Sequence, residues 1–113
     1  MKNLLIVLLS VISITTFGQK QSKYQEINFK VSGVCGMCEN RIEGALDVSG
    51  IRLAEWNSKT DNCRVVYNTT KFTELQIHQL IADVGHDTDK VKAKSEVYNK
   101  LNSCCKYKAV EKH

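Results

Sequence analysis

The apolar residues of this chain change their period within one short stretch, residues 31–42, and that change limits what the chain can fold into. Before it, Ile27, Phe29 and Val31 alternate with Asn28, Lys30 and Ser32. A period of two marks a half-buried strand. After it, Cys38, Ile42, Ala45 and Leu46 recur at i, i+4, i+7 and i+8, which places them on one helical face. Between the two runs lies Gly33-Val34-Cys35-Gly36-Met37-Cys38, a loop whose glycines allow unusual backbone angles. The chain therefore passes from strand to helix through a turn carrying two thiols. Such a pair can converge on one soft metal ion or close into a small disulfide.

The remaining segments follow the same logic. Ser49-Gly50 stops the first helix. Ile51, Leu53 or Ala54, and Trp56 form a second strand whose alternation slips by one, the mark of a bulge. Residues 57–62 make a polar turn, and Cys63, Val65 and Tyr67 form a third strand that pairs with the second as a hairpin. Thr73 caps a second helix with the apolar stripe Ile77, Leu80, Ile81 and Val84, which Gly85 ends. His78 falls beside that stripe and reads as a surface residue. Residues 86–91 are weakly patterned and become the fourth strand, at an edge, by elimination. Residues 94–101 have helical composition, and Cys104-Cys105 follows. The order βαββαβ specifies an α+β fold, a ferredoxin-like sandwich with a four-stranded antiparallel sheet, two helices on one face and a short C-terminal helical extension. In that fold the loop after the second helix lies at the same end as the first loop, which brings His86 toward Cys35 and Cys38.

Residues 1–18 stand apart from the domain. Lys2 precedes an apolar run over residues 4–14, and Thr16-Phe17-Gly18 supplies small residues for a signal peptidase. The expected cut lies after Gly18, which makes the mature protein periplasmic or secreted. The run is shorter than the roughly 20 residues a membrane-spanning helix requires, so no stable membrane insertion is expected after cleavage. With Lys2 removed, 15 Lys+Arg against 12 Asp+Glu leave a net charge of +3. So mild and dispersed a charge argues against a nucleic-acid partner. Residues 19–25 read as a flexible lead-in, 26–92 as the domain and 93–113 as the extension.

The chain has five cysteines, an odd number for a disulfide framework. Thiolates select soft ions such as Cu(I), Hg(II) and, to a degree, Zn(II) and Cd(II). Cys38, in the first helical turn, feels the positive end of the helix, which favours its thiolate. Cys63 shares a strand face with Val65 and Tyr67 and reads as a small buried hydrophobe. Trp56 and Phe29 read as core.

Residues 26–91 resemble a heavy-metal-associated domain, a family that includes copper chaperones, the metal-binding domains of heavy-metal ATPases and periplasmic mercury carriers. Its members commonly read Gly-Met-x-Cys-x-x-Cys at this loop. The resemblance places the two metal-binding cysteines on Cys35 and Cys38. The family's methionine, which supports the loop from inside, falls on Gly33, and Met37 between the cysteines is not its equivalent. An aromatic residue often found after the glycine that ends the second helix is His86 here.

The reading is a non-enzymatic exported carrier or scavenger that binds Cu(I), with Hg(II) or Zn(II) as alternatives, through Cys35 and Cys38. His86, Cys104 and Cys105 are further candidate ligands. The partner implied is a metal transporter or its metal-binding domain, and the family's two-cysteine loop also allows a metal-bridged homodimer. Two other readings compete. A thiol–disulfide oxidoreductase would use the same pair, but a thioredoxin-like site carries a cis-proline and this chain has no proline. A structural zinc module would draw its four ligands from Cys35, Cys38 and the C-terminal pair.

Overall fold

The computed structural model describes residues 23–110. The leader expected over residues 1–18, with its cut after Gly18, lies outside them. Strand β1 spans Tyr24–Lys30, helix α1 Gly36–Ala45, strands β2 and β3 Ile51–Trp56 and Asn62–Asn68, helix α2 Glu74–Ala82 and helix α3 Ser95–Tyr98. A 3₁₀ turn, Ser103–Cys105, follows. β1 starts at Tyr24, inside the stretch read as a lead-in, because Tyr24 and Gln25 already pair with Asn68 and Tyr67.

The three strands form an antiparallel sheet in the order β1-β3-β2. The register sets Phe29 opposite Cys63 and Ile27 opposite Val65. Side chains opposite one another share a face, so the inward residues of both strands make one apolar layer. The slip between Ile51 and Leu53 is the irregularity expected in β2. On the other face Arg64 reaches Glu26 at 3.2 Å and Glu55 at 3.1 Å, a solvated cross-strand ladder.

The fourth strand is reduced to one bridge, Val31 to Thr88. Two backbone bonds flank it, Ser32 N–H to the Asp87 carbonyl at 2.9 Å and Asp89 N–H to the Lys30 carbonyl at 3.1 Å. The segment therefore lies on the outer edge of β1, where a fourth strand belongs. Its residues His86-Asp87-Thr88-Asp89 lack the alternation that would extend a ladder.

Both helices cover the apolar layer. Cys38, Ile42 and Leu46 from α1 and Ile77 and Ile81 from α2 join Ile27, Phe29, Val31, Val65 and Trp56 in one buried cluster. The Thr73 hydroxyl accepts from the Gln76 amide and the Gln76 side chain accepts from the Thr73 amide, so α2 begins with a complete capping box. His78 corrects the sequence reading. It is fully buried, its ring centroid lies 4.0 Å from that of Phe29, and its Nδ1 lies 2.6 Å from Thr88 Oγ1. The helix stripe is wider than its aliphatic residues suggest, because Thr88 on the edge segment gives a polar atom on that side a partner.

The extension packs against the sandwich. α3 has four residues, shorter than the helical stretch expected over 94–101. Gly85 has φ +105°, and a Cβ there would lie 2.9 Å from Leu101. That glycine is needed twice, for the left-handed turn after α2 and for the close approach of Leu101. The Tyr107 hydroxyl donates to the Gly85 carbonyl at 2.9 Å and accepts from the Asp87 amide at 3.0 Å. Its ring stacks on His86 and meets Tyr98 edge-on.

Candidate metal centre

The end of β1 and the start of α1 set the first two thiols. Cys35 is the extended N-cap residue of α1, and its carbonyl accepts from the amides of Cys38 at 2.9 Å and Glu39 at 3.1 Å. This turn folds the Cys35 side chain over the helix N-terminus. The Met37 amide, and after it the Cys38 amide, holds the Cys35 thiol below its ordinary pKa, against the opposing effect of partial burial. Cys38 points the other way, into the core. It is fully buried, and its sulfur accepts from the Val34 amide at 3.4 Å.

The extension adds a third thiol. Cys105, fully buried, is carried to α1 by the 3₁₀ turn. The sulfurs of Cys35, Cys38 and Cys105 all lie within 4.8 Å of one another. Two thiolates each about 2.3 Å from one ion can be at most about 4.6 Å apart, so the triad has nearly the dimensions of a single coordination sphere. Burial, with the neighbouring Cys38 thiol adding to it, pushes the Cys105 thiol up to about 12, while Arg41 pulls it down through a hydrogen bond. Arg41 Nη1 is buried and has no hydrogen-bond partner among the described residues.

The other candidates are placed differently. Cys104 lies on the outer side, where its thiol donates to the Met37 thioether at 3.6 Å and its carbonyl lies 3.9 Å from the Cys35 sulfur. Met37 is 46% exposed. His86 is fully buried, but it is not one of the three groups that converge. Its Nδ1 lies 2.8 Å from the Ser32 carbonyl, which can only accept, so Nδ1 carries the proton. Nε2 is buried without a hydrogen-bond partner among the described residues. Burial, opposed by the Ser32 carbonyl, lowers the His86 pKa. Cys63 is buried within the sheet layer, away from the triad, and burial pushes its thiol up to about 12. All five cysteines are free thiols.

No protein-family model and no curated protein matches the sequence. Solved structures do match. A CopZ metallochaperone is 29% identical with a TM-score of 0.54, the match covering 57% of this chain and 98% of that one. A copper-binding domain from the P-type ATPase HMA7 is 28% identical with a TM-score of 0.54, covering 62% and 96%. This is a heavy-metal-associated-like domain. Oxidized MerP from Ralstonia metallidurans CH34 shares the fold at 20% identity, with a TM-score of 0.54 and coverage of 58% and 94%. These neighbours account for little more than half of the chain, and nearly all of their own length.

Sequence reasoning did not single out Arg41, Tyr107 or the Trp56 indole N–H, which donates to the Val31 carbonyl at 3.0 Å just before the loop of this heavy-metal-associated-like domain. For Arg41 a signal existed: it follows Cys38 by three residues and so shares its side of α1. Tyr107 and Trp56 reach the site through tertiary contacts that no local pattern announces.

Proposed function

We propose that this protein carries or scavenges a soft metal ion, Cu(I) first, through Cys35 and Cys38, and passes it by thiol exchange to the metal-binding domain of a transporter. One observation carries the reading: a partly buried thiol held toward its thiolate lies in one sulfur cluster with a fully buried one. Thiolates favour Cu(I) over harder ions. The likeness to a metallochaperone and to a copper-binding domain of a P-type ATPase supports the reading. Hg(II) and Zn(II) are the alternative cargoes, and export rests on the sequence of residues 1–18.

The chemistry asked of the site is exchange rather than catalysis. Each thiol loses its proton as its sulfur–metal bond forms. Cys35 faces the rim, so an incoming thiolate displaces it first while Cys38 still holds the ion. Release then needs no free ion in solution.

Anaerobic titration of the reduced protein with Cu(I) against a chromophoric chelator tests this. One tight equivalent is expected, lost in Cys38→Ser. Binding that is weak, or indifferent to Cys38→Ser, would overturn the reading and favour a redox role for the pair.

A further inference from the structure

The two-cysteine loop accounts for neither the buried thiol of the extension nor the partly buried Arg41 beside it, whose Nη1 is shut off from solvent. We propose that Cys105 is the third ligand of the same ion, making a three-thiolate site, and that Arg41 carries the charge which offsets it. The inference rests on the soft-ion reading above and adds to it the coordination number and the source of the third ligand.

Three features support it. The Cys105 sulfur lies within 4.8 Å of both loop sulfurs. Cys105 is fully buried, so its sulfur is turned to the two loop sulfurs rather than to solvent. Its position is also fixed from several sides: Leu101 against Gly85, Tyr107 on Gly85 and Asp87, and Lys108 N–H on the Tyr98 hydroxyl at 3.0 Å. Coordinating groups held by their surroundings require little reorganisation when the ion arrives.

Charge supplies the role of Arg41. A monovalent ion bound by three thiolates carries a net charge of −2, formed where water is largely excluded. Burying uncompensated charge is costly. Arg41 is within hydrogen-bond reach of the Cys105 sulfur, and its Nη1 is buried with no acceptor among the described residues. Loading balances as follows. Three S–H protons leave, three S–metal bonds form and no electron is transferred. Arg41 Nη1, without an acceptor among the described residues, gains one. Cys104, bonded outward to Met37, is not part of the sphere.

The consequence for carriage is a site that holds its ion more firmly than two thiolates would. Handover would then require Cys105 to let go, so the extension sets retention.

X-ray absorption on the Cu(I)-loaded wild-type protein gives the sulfur count without any substitution. Three sulfurs per copper are expected, and two would overturn the proposal. Cys105→Ala should bind with two sulfurs and at least about 10-fold more weakly. Cys104→Ala should keep three. Arg41→Gln should keep three sulfurs but bind about 10-fold more weakly, with Arg41→Lys restoring much of the loss. Circular dichroism on each variant separates loss of ligand from loss of fold. If Cys105→Ala binds as tightly as wild type while Cys38→Ser does not bind, the third ligand is refuted and the two-cysteine carrier stands. If wild type itself binds no Cu(I), both fall.

Discussion

The indole of Trp56 fills the room that a side chain at Gly33 would need, so that a Cβ on Gly33 would lie 2.7 Å from the ring. In the resembling family this loop position is a methionine that supports the thiols from inside. Here the support comes from β2. The Trp56 indole N–H donates to the Val31 carbonyl at 3.0 Å, and the Trp56 amide donates to the Glu43 carboxylate at 3.0 Å. The exchange of a methionine for a glycine is thus a relocation of the supporting side chain.

Restoring the methionine should therefore harm this protein. Gly33→Met is expected to destabilise by about 1–3 kcal/mol through overpacking, and Trp56→Ala by about 3–5 kcal/mol through the cavity it leaves. Combined, they should cost less than their sum, since each relieves the other. Chemical denaturation of the three variants checks this, and strict additivity would show that the two residues do not share the space.

The thiols should differ in reactivity. With a chromogenic disulfide under native conditions, Cys35 should react first, because it is only partly buried and held toward the thiolate by the Met37 amide. Cys63 and Cys105, both buried and pushed up to about 12, should react only as the protein opens. Mass spectrometry of partly labelled protein gives the order, and early modification of Cys63 would contradict it.

Stability should fall on mild acidification. His78 and His86 are both lowered, chiefly by burial. Asp89 and Glu74 oppose the shift at His78 and Lys90 adds to it. At His86 the Ser32 carbonyl and Asp87 oppose it, and Arg41 adds to it. The unfolded chain titrates near the ordinary value of about 6.5. Below that pH it binds protons that the folded state refuses, so stability is full above about 6.5 and declines as pH falls toward the folded values. Thermal melts between about pH 7.5 and 5 should show the decline, with a shallower slope in His78→Gln. This window lies above that of Glu26, whose carboxylate is lowered by Arg64 and loses its stabilisation only in stronger acid. A flat profile over the upper window would rule out buried neutral histidines.

Tyr107→Phe should loosen the extension while leaving the sandwich folded. The change removes the donor to the Gly85 carbonyl and leaves the Asp87 amide without its acceptor. A loss of about 1–3 kcal/mol is expected. Amide exchange should accelerate at Asp87 and through residues 95–107. Unchanged protection there would mean that ring stacking on His86 and Tyr98 holds the segment unaided.

The sandwich was legible wherever one face is wet and the other dry. Ile27, Phe29 and Val31 alternate because β1 has a solvated outer face, and Ile77 and Ile81 repeat because α2 lies on the sheet. His78 was misread because a polar residue beside a stripe looks solvated unless its partner, Thr88, is known. The edge segment carries no alternation to extend a ladder. The Cys35–Cys38 pair was visible from spacing alone. The hold of the Met37 and Cys38 amides on the Cys35 thiol was not visible, because it depends on the N-cap turn that folds that side chain back over the helix end. The convergence of Cys105 depends on Leu101 lodging against Gly85 and on Tyr107 bridging the 85–87 turn, contacts between segments distant in sequence.

Cys35 and Cys105 are 70 positions apart, and this separation gives the triad a topological side. An ion shared by Cys35 and Cys105 ties the chain into a loop that contains α1, β2, β3, α2 and α3, with β1 paired to it from outside. At roughly 3.4 Å per residue, about 240 Å of contour length is hidden behind three sulfur–metal bonds. Any process that handles the polypeptide as a single extended strand, whether a pulling force, an unfoldase or a translocation pore, meets a knot-like obstacle at Cys35 until the ion leaves. Loading belongs after such steps, and a loaded molecule resists them.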